Sequence, residues 1–129
     1  MSNTVVSLPK EKITITIGEN EYSINYPSNG QYIEIEAMKC RLTRDTYNSM
    51  SEGSSVSSQL ARYTVDMIAF LSVACPKIRE DLKADSFSEL KMIDSKKILQ
   101  VYVKSILPWL MEWESVLNAE EEGEEVEGK

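Results

Sequence analysis

Serine next to lysine is the first pairing in this chain with chemistry in it. Two segments, Ser7 to Lys10 and Ser88 to Lys91, match Ser-x-x-Lys, a spacing that brings an amine to a hydroxyl nucleophile. The Ser-Asp-Asn and Lys-Thr-Gly segments that accompany it in acyl-transfer enzymes are absent. Pro9 sits inside the first match and the second lies at a capped helix start, so both read as chance. The carboxylate pairs Glu34/Glu36 and Glu112/Glu114 stand two residues apart. Two apart on a helix, such residues point to different faces, which suits solvated charge better than paired acid–base work. The chain has no histidine, which removes histidine triads, histidine general bases and most catalytic zinc sites. Its two cysteines, Cys40 and Cys75, have no metal-ligand spacing and read as reduced, buried thiols in apolar-rich segments. The five glycines are scattered, so no phosphate loop or dinucleotide fingerprint can be drawn. The terminal glutamates lack the Asp-rich loop of a dedicated calcium site. The expectation is a chain with no catalytic residues, no cofactor and no metal, working by binding another macromolecule.

The segment best suited to binding is Ile106-Leu107-Pro108-Trp109-Leu110-Met111-Glu112-Trp113. Trp109 and Trp113 are the two tryptophans of the protein and stand four apart, on one helical face. Leu110 and Leu117 continue an apolar face and Met111 lies between the indoles. Tryptophan is enriched at interface hot spots and methionine on adaptable contact surfaces. Trp109, Leu110, Met111, Trp113 and Leu117 are therefore the candidate partner-binding residues. The same pattern also fits an indole pair packed internally, on a hairpin or a central helix.

Several elements must position these residues. Ile13, Ile15 and Ile17 alternate with threonines, and Tyr22, Ile24 and Tyr26 alternate with Ser23 and Asn25, around Gly18-Glu19-Asn20-Glu21. Two period-two runs about a short turn predict a β-hairpin with one apolar face. Pro27-Ser28-Asn29-Gly30 reads as a turn that ends it. Residues 31–42 alternate like a strand at first, but Glu34 to Leu42 are mostly good helix formers and a helix is preferred. A polar connector, Ser51 to Ser55, precedes a stripe of Val56, Leu60, Tyr63, Met67, Phe70 and Ala74 at helical steps. Ile68 and Leu71 make the second half apolar nearly all round, as in a helix buried within a bundle or against a partner. Pro76 ends it and fits the first position of a short helix, Pro76–Leu82. Ser86 to Glu89 matches a capping box, and Asp94 opens a helix with a stripe of Ile98, Tyr102 and Ile106. Pro108 should kink or split that helix near Ser105 to Leu107, and Asn118 is a plausible stop.

The architecture expected is α+β: an N-terminal hairpin packed on four to six helices. Residues 1–9 form a flexible lead, 10–119 the single domain, and 120–129 an acidic, disordered tail. The 129 residues suffice for one core without metals or disulfides. The net charge of −7 is uneven. Residues 120–129 hold six glutamates against Lys129, leaving the body nearly neutral. A near-neutral body without a basic stripe disfavours direct nucleic-acid binding. With no signal-like apolar opening and no apolar run long enough for a bilayer, the expected compartment is the cytosol, without membrane contact.

A longer order of residues carries a resemblance. Tyr26-Pro27-Ser28-Asn29-Gly30-Gln31 leads into Ile33-x-Ile35-Glu36-x-x-Lys39 and Leu42-Thr43, followed by Tyr47 and Met50. Pro76-x-Ile78-x-x-Asp81-Leu82, Ser86-Phe87 and Leu90 come next, then Tyr102, Leu107-Pro108-Trp109 and Trp113. From Ile13 to Trp113 this resembles small proteins of the virion gene set of tailed, crAss-like bacteriophages. In size and layout it is similar to phage tail assembly chaperones, helix-rich proteins that coat the tape-measure protein before the tail tube closes. The resemblance implies a non-catalytic morphogenesis protein in the host cytoplasm or the virion, with tail or capsid proteins as partners. A structural connector or tail component, homo-oligomeric if it forms a ring, is the alternative within that setting. The acidic tail suggests another, an inhibitor that mimics nucleic acid before a host DNA-binding enzyme.

Overall fold

The computed structural model describes residues 9–47 and 55–127, with side chains as far as Leu117. Strand β1 (Lys12–Ile17) and strand β2 (Asn20–Asn25) form an antiparallel hairpin in which Ile15 faces Tyr22 and Ile13 faces Ile24. Gly18 takes φ 64 in a two-residue turn, the left-handed conformation that such hairpin turns require and glycine adopts without strain. Alternation puts Ile15, Tyr22 and Ile24 in the core, while Thr14, Thr16 and Ser23 face out.

Helix α1 (Asn29–Thr43) settles the ambiguous segment as helix. Its start is also sharper than the expected Pro27–Gly30 turn. Ser28 is the N-cap: its hydroxyl accepts from the Gln31 backbone N–H at 3.3 Å, and the Ser28 N–H donates to Gln31 Oε1 at 3.0 Å. This capping box satisfies two otherwise orphaned donors, and Asn29 and Gly30 lie inside the first turn. Arg44 (φ 51) and Asp45 (φ 67) end the helix in left-handed conformations, with the Asp45 N–H donating to the Cys40 carbonyl. The connector residues 51–54 lie outside the described residues.

Helix α2 (Val56–Ala74), capped by Ser55, is the central element. Its second half is buried through Met67, Ala69, Phe70 and Leu71, whereas Val56 and Leu60 in its first half are exposed. Two residues of the expected six-residue stripe, Met67 and Phe70, are thus core, with Ala74 partly buried against it. Pro76 caps the short helix α3 (Lys77–Asp81) rather than occupying its first position. At Ser86 the expected capping box does not form. Phe87–Glu89 is one 3-10 turn with no side-chain cap bond, and it serves to bury Phe87. Helix α4 (Met92–Val101) starts at Met92 instead of Asp94.

Pro108 does disturb the helix that follows. Tyr102–Ile106 is a π-helical turn in which the Leu107 N–H reaches back to the Tyr102 carbonyl. Proline offers no N–H and its ring collides with the carbonyl four residues back; widening the preceding turn lets the chain continue. Helix α5 (Leu107–Glu127) then runs past Asn118, which is not a stop, and the acidic segment keeps a helical backbone to Glu127. Helix α1 packs against α2, β1 against α4, and the core between them holds Ile24, Met67, Leu71, Ile78, Ile98 and Ile106 fully enclosed. The result is α+β, a hairpin on a helical body, and among the described residues no helix is long and apolar enough to cross a membrane.

Candidate functional site

The indole pair packs against the hairpin, with Trp109 buried and Trp113 half-buried. Trp109 is 4% exposed, and its Nε1–H donates to the Lys10 carbonyl at 2.6 Å. Trp113, half-buried, donates to the same oxygen at 3.0 Å. Tyr26, at the end of the hairpin, meets Trp109 edge-on at 5.7 Å and stacks on Trp113 at 4.8 Å, both preferred aromatic arrangements. The pair therefore clamps α5 onto the hairpin and is not a free hot spot. Leu110 lies half-buried, while Met111 and Leu117 are exposed. The sequence candidates divide: Trp109 and Trp113 hold the element in place, Leu110 and Leu117 line what it frames, and Met111 points elsewhere.

What α5 frames is a groove of about 490 Å³ running between it and α1. Tyr26, Pro27 and Ser28 close one end. The α1 wall presents Tyr32, Ile35, Glu36 and Lys39, the α5 wall Leu107, Leu110, Glu114 and Leu117, and the floor is Asp66, Phe70 and Tyr102. Tyr102, the first residue of the π turn, is buried in this floor and packs 6.2 Å from Phe70. Tyr32 is 61% and Leu117 44% exposed. The rim is thus apolar surface left in water, which marks binding sites when contiguous.

One end of the floor is charged. Lys39 Nζ sits 2.9 Å from Glu36 Oε2 and 3.5 Å from Asp66 Oδ1. The same Asp66 oxygen accepts the Tyr47 hydroxyl at 2.5 Å, and the ammonium lies 5.4 Å over the Tyr47 ring. The left-handed turn at Arg44 and Asp45 brings Tyr47 back onto the helix pair. Burial pushes the Lys39 pKa down, but the hydrogen bond from its ammonium to Glu36 and the attraction of Asp66 outweigh it, and the value ends above the ordinary one. Burial, then the bond to Asp66, raises the Tyr47 phenol well above its usual range. Tyr102 is raised similarly by burial, with Asp66, Tyr47 and Glu114 adding to it. Tyr26 is raised by burial and then by Glu114 and Tyr32. Their raised values keep these phenols neutral at neutral pH, and Asp66 takes the Tyr47 hydroxyl and the Lys39 ammonium.

Sequence reasoning treated Glu36 as solvated charge and passed over Tyr32, Lys39, Asp66 and Tyr102 as a group. Their separation along the chain gives no local signal, since α1 and α2 must pack before Lys39 meets Asp66. Of the other candidates, Cys40 is exposed at the α1 surface, against expectation, while Cys75 is buried. Burial raises the Cys75 pKa, which keeps that thiol inert. Ser88 sits in the 3-10 turn, and Ser7 lies outside the described residues. Among the described residues no group of three or more cysteines and carboxylates is placed to hold a metal ion. The arrangement can bind: an apolar slot with a few fixed polar groups is the usual build of a recognition site. Compared with protein-family models, with curated proteins and with solved structures, the chain has no match.

Proposed function

We propose that this chain is a non-catalytic assembly protein of a tailed bacteriophage, a tail assembly chaperone that holds an apolar helix of the tape-measure protein or another assembly partner in the host cytoplasm. The observation carrying this reading is the α1–α5 groove, whose rim leaves Tyr32 and Leu117 in water above Phe70 and Tyr102. Grooves of this kind take the apolar face of an amphipathic helix, with anchors three and four residues apart. The ordered resemblance from Ile13 to Trp113 supplies the setting, and the glutamate-rich end adds the charge that keeps an apolar complex in solution.

Fractionating a lysate of producing cells on a gradient tests it. The protein should travel with unfinished tail intermediates and be missing from finished particles. Recovery at fixed copy number in purified virions would sink the chaperone reading and favour a structural connector or tail component.

A further inference from the structure

Charge distinguishes this groove from a merely apolar one. Its lining holds Glu36, Asp66 and Glu114 against Lys39 as the one cation. Lys39 is shared between Glu36 and Asp66, so within the lining one cation serves two carboxylates at that end. Glu114, exposed on the opposite wall, has no ion pair among the described residues. Among the described residues the lining as a whole, walls and floor together, therefore carries three carboxylates against one ammonium around an apolar slot. Helix α5 carries the same sign onward, its backbone continuing through the glutamates to Glu127.

We infer that the segment this groove accepts is a basic amphipathic helix, with apolar anchors inserted over Phe70 and Tyr102 and a lysine or arginine beside them that meets Glu114 and Glu36. The inference rests on the binding role proposed above and adds the chemistry of the partner. A second copy of this chain is a poor occupant, because each copy brings a net charge of −7 to an already acidic slot and like charges facing one another cost affinity. A neutral apolar helix fills the slot but leaves the carboxylates desolvated without a partner, which is costly. A helix with one well-placed cation satisfies both.

Three amidated peptides of roughly 18 residues, long enough to form a helix, test this with the full-length chain. One carries a leucine stripe at helical spacing with lysines on the flanks. The second keeps the stripe and replaces the lysines by glutamates. The third scrambles the first, so charge remains and the stripe is lost. Binding is read by isothermal titration calorimetry. The lysine peptide should bind at least about tenfold more tightly than the other two, a gap of about 1.4 kcal/mol. Its advantage over the glutamate peptide should shrink severalfold in Glu36→Gln/Glu114→Gln and with added salt. Its affinity should fall severalfold in Tyr32→Ala/Leu117→Ala, whose replaced side chains are exposed and so leave the fold intact. Equal binding of the lysine and glutamate stripes would overturn the inference while leaving a groove that binds apolar helices. Equal binding of the scrambled peptide, or affinity untouched by the groove variants, would overturn it by exposing plain attraction to an acidic chain. No binding of any peptide would remove the helix-binding reading as well.

Discussion

Lys10 contributes its backbone to this molecule: its carbonyl oxygen accepts from both indoles, Trp109 at 2.6 Å and Trp113 at 3.0 Å. A carbonyl has two lone pairs, so two donors four residues apart on one helix can share it. These two bonds tie the start of the hairpin to α5, and Tyr26 packs against both indoles. Trp109→Ala should therefore cost about 3–5 kcal/mol, the usual loss for a large buried aromatic. Trp109→Phe keeps most of the ring but drops the donor, and should cost about 1 kcal/mol for the hydrogen bond. Urea unfolding followed by circular dichroism measures both, and a loss under 1 kcal/mol for the alanine variant would contradict the clamp. The indole spacing was legible in the sequence. Its target was not, because nothing local marks a carbonyl at the far end of the chain as the acceptor.

At the scale of elements, the patterns with short periods read well and the caps read poorly. The alternating isoleucines specified the hairpin face, and the Ile98, Tyr102 and Ile106 stripe specified the buried side of its helix. Of the Ser-x-x-Glu/Gln strings in the sequence, only Ser86 to Glu89 was read as a cap. Ser28 to Gln31 forms the reciprocal box, while Ser86 to Glu89 does not, because Phe87 is drawn into the core and the segment closes as a 3-10 turn. Tertiary burial overrode a local motif. The cap at Ser28 stands between the hairpin and the groove wall, so Ser28→Ala should lower stability by about 1 kcal/mol. Amide exchange checks where: protection should drop first in residues 29–33, and an even loss across the chain would show that the cap has no local role. Pro108 shows a third behaviour. It was expected to kink or split the helix, and the disturbance takes the form of a π turn that begins at the buried Tyr102 of the groove floor.

For the whole molecule, charge and burial set a pH response of definite sign. Tyr22, Tyr26, Tyr47, Tyr102, Cys75 and Lys39 all have pKa values raised by the fold. For the phenols and the thiol the first cause is burial, which favours the neutral form; for Lys39 the carboxylate partners overcome it. A group whose folded pKa lies above its unfolded one contributes stability that is whole below the unfolded value and is lost as pH rises. All six act in the same direction, and their unfolded values fall at roughly 8.5–10.5. The melting temperature should accordingly hold between about pH 7 and 8 and fall steadily above about pH 9. A melting temperature that stayed flat to about pH 10.5 would contradict the burial described for these phenols. The groove itself belongs to this scale. Its walls come from α1 and α5, its floor from α2 and the π turn, and its charged end needs Lys39 and Asp66 to meet across two helices. Periodicity located each apolar face but carried no information on which faces would be left uncovered.

That uncovered groove is the central claim, and a paired capture from producing cells tests it most directly. The tagged chain and its Tyr32→Ala/Leu117→Ala variant, matched in expression and in melting temperature, are pulled down side by side and their partners identified by mass spectrometry. The account predicts one assembly protein recovered in quantity with the unaltered chain and at least about fivefold less with the variant, a difference of roughly 1 kcal/mol at the interface. Equal recovery of that partner by both chains would place its binding elsewhere on the molecule and contradict the account.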